Sequence, residues 1–112
     1  MFQPISSNQT IHTNSSDFAS LQQSEKPILV KFVAPHCAGC VTLKPILDQL
    51  VREQSDNLNF VEIDITEDPE LALELDIRSV PTVVLFAQEN ELGRLVGLQP
   101  KKHYANLVQQ AI

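Results

Sequence analysis

What the chain lacks narrows its chemistry first. It has two cysteines and three histidines, whereas a structural zinc site needs about four ligands. There is no second cysteine pair, and His12, His36 and His103 are scattered without ligand spacing. No apolar run approaches the length that crosses a bilayer. Glycine is scarce, with three residues, and none belongs to a nucleotide-binding loop. No repeat, low-complexity tract or linker divides the sequence. Positive charge is also short: eight Lys and Arg stand against fourteen Asp and Glu, for a net charge of −6. That balance disfavours nucleic acid and an anionic membrane as partners. Met1 to Asn14 is polar, with neither a basic start nor an apolar stretch, unlike a secretory signal. A reducing, cytoplasmic compartment is therefore expected.

What is present suffices for one domain over residues 1–112. The chain is 43% apolar and 20% charged, an ordinary globular mixture long enough to bury a core without covalent staples. Seven of its fourteen acids fall between Glu62 and Asp76, a run that reads as a solvated flank. Nothing signals an oligomer, so a monomer is the default.

The pattern alternates strands and helices. Gln9 to His12 reads as a short strand, and Asn14 or Ser15 can cap a helix with Phe18 and Leu21 on its inner side. Glu25-Lys26-Pro27 breaks the chain. Ile28 to Val33 is nearly all apolar, as expected of a strand covered on both faces, with Lys31 the exception. Leu43, Ile46, Leu47 and Leu50 repeat at helical spacing, predicting a helix from near Cys37 to about Arg52, kinked at Pro45. Leu58 to Ile65 reads as a strand. Leu71, Leu73, Leu75 and Ile77 alternate like a strand, yet Asp68-Pro69 is a cap and first-turn signal, which favours a short helix. Val80 to Phe86 and Glu91 to Val96 form a hairpin, and Pro100 opens a last helix with Tyr104, Leu107, Val108 and Ile112 on one side. The expected architecture is α/β, a mixed sheet with helices on both faces.

Cys37 and Cys40 carry the chemistry. A loop this small removes little unfolded-state entropy when closed, so the pair is a poor staple. It begins where a strand has ended and a helix starts. There, unpaired N–H groups and partial positive charge favour a thiolate, the reactive form. Cys37, at the extreme end, is the expected nucleophile. Cys40 lies one turn inside on the same face, placed to resolve a mixed disulfide. Inert core cysteines are the competing reading, against which the small, polar turn argues.

Ala34-Pro35-His36-Cys37-Ala38-Gly39-Cys40 resembles the Ala-x-Trp-Cys-Gly-Pro-Cys signature of the thioredoxin family. Lys44-Pro45-Ile46-Leu47 falls where that family's active-site helix carries its proline. Ile77-Arg78-Ser79-Val80-Pro81-Thr82 resembles its cis-proline segment, and Gly97 matches a glycine on its substrate-facing rim. The likeness spans roughly residues 10 to 112. It implies a thioredoxin fold with Pro81 facing the cysteines and the Val80 backbone free to pair with an extended substrate. It also implies a protein-disulfide reductase that needs no cofactor beyond the Cys37–Cys40 couple. Protein disulfides would be its substrates and a thioredoxin reductase, or an equivalent donor, its partner. An ordinary strand-start proline is the alternative for Pro81.

Four departures stand out. His36 replaces the tryptophan, and reads either as a positive neighbour of Cys37 that also borders the substrate or as a plain exposed residue. Ala38-Gly39 replaces Gly-Pro, which alters the redox potential in an unresolved direction. Lys31 stands where the family buries an aspartate behind the resolving cysteine. A neutral Lys31 could take the Cys40 proton, a charged one could stabilise the Cys40 thiolate, or it could simply pair with Glu62 or Asp64. Phe60 stands for a lysine near the site. Two other functions stay open: an oxidase or isomerase, or a redox-sensing peptide-binding module with little turnover.

Overall fold

A computed structural model describes residues 11–12, 15–54 and 56–111. Its strands are β1 (Ile11–His12), β2 (Ile28–Val33), β3 (Asn59–Asp64), β4 (Thr82–Ala87) and β5 (Asn90–Val96). Its helices are α1 (Ser15–Leu21), α2 (Ala38–Glu53), α3 (Pro69–Glu74) and α4 (Lys101–Gln109). The expected Gln9 start of the first strand, the Asn14 cap and the inward Ile112 lie outside the described residues.

The described strands form one sheet in the order β1-β3-β2-β4-β5. β3 runs parallel to both β1 and β2, while β4 is antiparallel to β2 and β5. The sheet is mixed, as the sequence predicts. β2 is central, and its apolar run is explained by having two cores to fill. Leu29 joins Phe60, Val83 and Leu85 beneath Leu43 and Leu47 of α2 and Tyr104, Leu107 and Val108 of α4. Ile28, Val30 and Phe32 join Val61, Ile63, Val84 and Phe86 beneath Phe18 of α1 and Leu71 and Ala72 of α3. Successive side chains point to opposite faces of a strand, so only a continuous apolar run serves both.

The helices form for local reasons. α2 buries Cys40, Leu43, Leu47, Leu50 and Val51, the spacing of one helical face. It continues through Pro45, an exposed position where a missing backbone N–H is best tolerated. The ambiguous leucine run resolves as helix. The Asp68 carboxylate accepts the Leu71 N–H at 3.4 Å, and Pro69 opens α3. Leu71 is buried and Leu73 exposed, although strand alternation would have put both on one face.

Two expectations need correction. β4 begins at Thr82 rather than Val80. Pro81 has no N–H for the ladder, so it and Val80 stand in the approach to the strand; the bond between them is cis. Phe60, expected to stand for a lysine near the site, is buried in the core and is not among the residues lining the cavity at the cysteines. It pairs with Leu29, while Glu62 sits opposite Lys31.

Candidate active site

The site forms where β2, in the middle of the sheet, hands over to α2. The carboxyl ends of central strands are the usual place for function in α/β sheets. The turn places His36 in the left-handed region at φ 59°, a conformation uncommon for a residue with a Cβ. The chain then straightens at Cys37 (φ −106°, ψ 102°), the N-cap of α2. Its sulfur takes the capping role a serine oxygen often fills, accepting the Cys40 N–H at 3.1 Å. The Cys37 carbonyl accepts from the N–H groups of Cys40 and Val41, each at 3.2 Å. No acidic residue lies in the first turn of α2, so no carboxylate there opposes negative charge on the cap sulfur.

Cys37 and Cys40 are joined by a disulfide, with their Cα atoms 5.3 Å apart. The two are unequally exposed: Cys37 is half-buried, whereas Cys40 is only 7% exposed. Incoming reagents meet Cys37 first.

Behind the disulfide lies an open cavity of about 520 Å³, lined in part by Lys31, His36, both cysteines, Lys44 and Glu62. Lys31 is 3% exposed. Its ammonium donates to the Cys40 carbonyl at 3.2 Å and stands 3.5 Å from the Glu62 carboxylate. Burial lowers the Lys31 pKa below its ordinary value, and Glu62 pulls against that shift. Of the two carboxylates expected as partners, Glu62 is the one Lys31 meets; Asp64 instead accepts from the backbone and hydroxyl of Thr66. His36 is exposed and sits at this cavity, immediately before Cys37.

The opposite flank is built around Pro81. A Cβ on Gly39 would stand 3.1 Å from Pro81 Cδ, so the small spacer residue lets α2 and the proline meet closely. The Pro81 carbonyl accepts the Gly97 N–H at 2.8 Å, and Gly97 holds φ 79°. Behind Gly97, the Tyr104 hydroxyl donates to the Gly97 carbonyl at 3.2 Å and accepts the Gln99 N–H at 3.1 Å. Val96 and Leu98 flank Gly97 with exposed apolar side chains. Val80 is half-buried.

The structure thus gathers Cys37, Cys40, Lys31 and His36 on one side and Val80, Pro81 and Gly97 on the other. Sequence reasoning missed the support that Gly39 and Tyr104 give the Pro81 flank. Glu62 it named only as one of two partners. A signal existed for that residue: β2 and β3 each carry a charge as fourth residue, and parallel register sets the two side by side.

Comparison with known proteins follows the same lines. The family model described as Thioredoxin matches residues 9–110. Thioredoxin of Haemophilus influenzae is 31% identical over 106 residues, 94% of this chain and 99% of its own length. A bifunctional thioredoxin reductase/thioredoxin of Mycobacterium leprae is 36% identical over 89 residues. That match covers 80% of this chain, which spans only 19% of the larger protein. A solved structure of a mutant thioredoxin from Halobacterium salinarum superposes with a TM-score of 0.85 at 24% identity, covering 99% of this chain and 95% of the other.

Proposed function

This chain belongs to the thioredoxin family, and from that membership we propose that its cysteine couple works as a reductant of protein disulfides. It is a thiol–disulfide oxidoreductase with Cys37 and Cys40 as the redox-active pair. The observation that carries the assignment of roles is the cap geometry: the Cys37 sulfur stands at the open N-terminus of α2 as acceptor of the Cys40 N–H.

In the reduced form the Cys37 thiolate attacks one sulfur of a substrate disulfide. A Cys37–substrate bond forms, the substrate's own S–S bond breaks, and the first substrate thiolate leaves and takes a proton. Within that mixed disulfide Cys40 loses its proton to water and attacks the Cys37 sulfur as a thiolate. The Cys37–Cys40 bond forms, the mixed disulfide breaks, and the second substrate thiolate leaves. Two electrons have passed to the substrate. Intramolecular placement of Cys40 makes the second step fast.

Val80, Pro81 and Gly97 form the surface along which an extended substrate lies, with the backbone at Val80 offered for strand addition. Thioredoxins work through the cysteine pair without an added cofactor, so electrons must come from a second protein. The shared chain of reductase and thioredoxin in the Mycobacterium leprae relative supports a thioredoxin reductase in that role. The setting that suits this direction is a reducing, cytoplasm-like compartment, with the chain acting as a monomer.

Insulin reduction tests the proposal. Cys37→Ser abolishes turnover, whereas Cys40→Ser accumulates covalent substrate complexes that a reductant releases. Full turnover in Cys37→Ser would reverse the assignment. A glutathione redox titration tests direction, since an equilibrium strongly favouring the dithiol would identify an oxidant instead.

A further inference from the structure

Lys31 is hard to explain as a stabilising residue. It is the one charged side chain in β2 and is 3% exposed. Burying an ammonium is costly, and buried ion pairs can often be exchanged for apolar residues without loss of stability. Its neighbours on the sheet show what would fit, because Val83 faces it across β4. Yet the ammonium is aimed at the first turn of α2, where it donates to the carbonyl of the resolving cysteine. Glu62, set opposite by the parallel register of β2 and β3, supplies the counter-charge. Both groups line the cavity that reaches Cys37 and Cys40.

We infer that Lys31, held by Glu62, is a positioning residue for the resolving step, a cation fixed behind Cys40 that stabilises its thiolate. This rests on the roles proposed above for Cys37 and Cys40. Within the mixed disulfide the Cys40 thiol gives its proton to water in the open cavity. The thiolate's electron pair forms the bond to the Cys37 sulfur as the bond from Cys37 to the substrate breaks. The departing substrate thiolate takes up a proton, so charge and electrons balance. A nearby cation lowers a thiol pKa, which raises the share of Cys40 ready to attack at neutral pH.

The other charges around Lys31 are few. Glu62 lies on β3, and Lys44 and Asp48 on α2 are tied to each other at 2.8 Å. His36 lies at the cavity in the preceding turn, and β4 contributes the uncharged Val83. Glu62 and Asp48 favour the charged lysine, while burial and Lys44 oppose it.

A second consequence is thermodynamic. A cation that stabilises a thiolate stabilises the reduced form, so it makes the couple more oxidising than the same protein without it.

The test uses Cys37→Ser, in which Cys40 is the only thiol, and follows its alkylation by iodoacetamide across pH. Removing the charge by Lys31→Met should move the profile to higher pH and slow alkylation at pH 7 about tenfold, because the thiolate is the reacting species and its share falls as the thiol holds its proton more tightly. Lys31→Arg should restore the profile. Lys31→Gln keeps an N–H donor for the Cys40 carbonyl but no charge, and serves if the methionine variant fails to fold. It should behave as Lys31→Met does, and with both cysteines present it should shift the glutathione equilibrium toward the disulfide. Profiles that superimpose with the parent's would overturn the inference. Alkylation requires no disulfide substrate, so failure of insulin reduction with the displaced profile intact would remove the proposed reductase role and leave this one standing.

Discussion

The two flanks of the Cys37–Cys40 disulfide are made of different materials. Behind it stand charges: the Lys31 ammonium, the Glu62 carboxylate and, further out, Lys44, around an open cavity. In front stand backbone groups and apolar surface: the Pro81 carbonyl tied to Gly97, the Gly97 carbonyl tied to Tyr104, and exposed Val96 and Leu98. Charge acts through space and tolerates small displacements. A surface for strand addition has to hold its backbone in register. On the roles proposed above, the first flank sets when a sulfur ionises and the second decides what lies across it.

Crowding the front flank should give the largest effect on that division. In Gly39→Val the new Cβ meets Pro81 Cδ at 3.1 Å and Leu98 Cβ at 3.9 Å, and the branch makes the overlap worse. Overpacking of this kind costs about 1–3 kcal/mol, readable as a lower thermal midpoint. Insulin reduction should fall further than reduction of a small disulfide, which does not need the groove. Equal losses with both would move Gly39 to the chemistry of the sulfurs and blur the contrast.

A gentler change on the same flank is Gly97→Ala. Its Cβ would meet nothing within 4 Å, but the residue holds φ 79°, where an L side chain costs roughly 1–2 kcal/mol. The expected signature is a higher KM for a protein disulfide with kcat little changed. Tyr104→Phe removes the hydroxyl bonds to Gly97 and Gln99 while keeping the buried ring. About 1 kcal/mol should be lost, visible as a lower urea midpoint at unchanged slope. If neither variant altered KM, the support behind Gly97 would be purely structural.

The flanks also differ in how legible they were from sequence. Cys37 and Cys40 were readable because strand, loop and helix signals converge on one short segment, and Lys31 stood out as a charge in an apolar run. Its partner stayed ambiguous between Glu62 and Asp64, since both lie in the next strand and only register separates them. The same register pairs Phe60, expected in place of a lysine near the site, with Leu29 and puts Glu62 opposite Lys31. The support of the front flank was least legible. Tyr104 reads as an ordinary core residue by helical spacing, and nothing local shows that its hydroxyl meets Gly97, seven residues earlier. The start of β4 differs from expectation because periodicity sees apolar character at Val80, while Pro81 has no N–H to donate to the ladder.

The smallest expected effect separates the flanks by pH, and it is best sought in the oxidised protein, where the cysteines do not titrate. Lys31 has its pKa lowered from 10.5, chiefly by burial, with Glu62 the main opposing influence. Between that lowered value and 10.5 the unfolded chain binds more protons at this residue, so its contribution to stability rises with pH. Tyr104 has its pKa raised from 10.0, again chiefly by burial. Its contribution is fully present below 10.0 and is lost as pH rises through the higher folded value, because the unfolded phenol ionises first. The charged flank and the apolar flank thus pull stability in opposite directions on the alkaline side. Urea unfolding between pH 7 and strongly alkaline solution, repeated for Lys31→Met and Tyr104→Phe, reads the two contributions separately. The lysine variant should lose the rise and the phenylalanine variant the fall. Curves parallel to the parent's in both would mean that neither group feels its burial, and the contrast in electrostatics between the flanks would go with them.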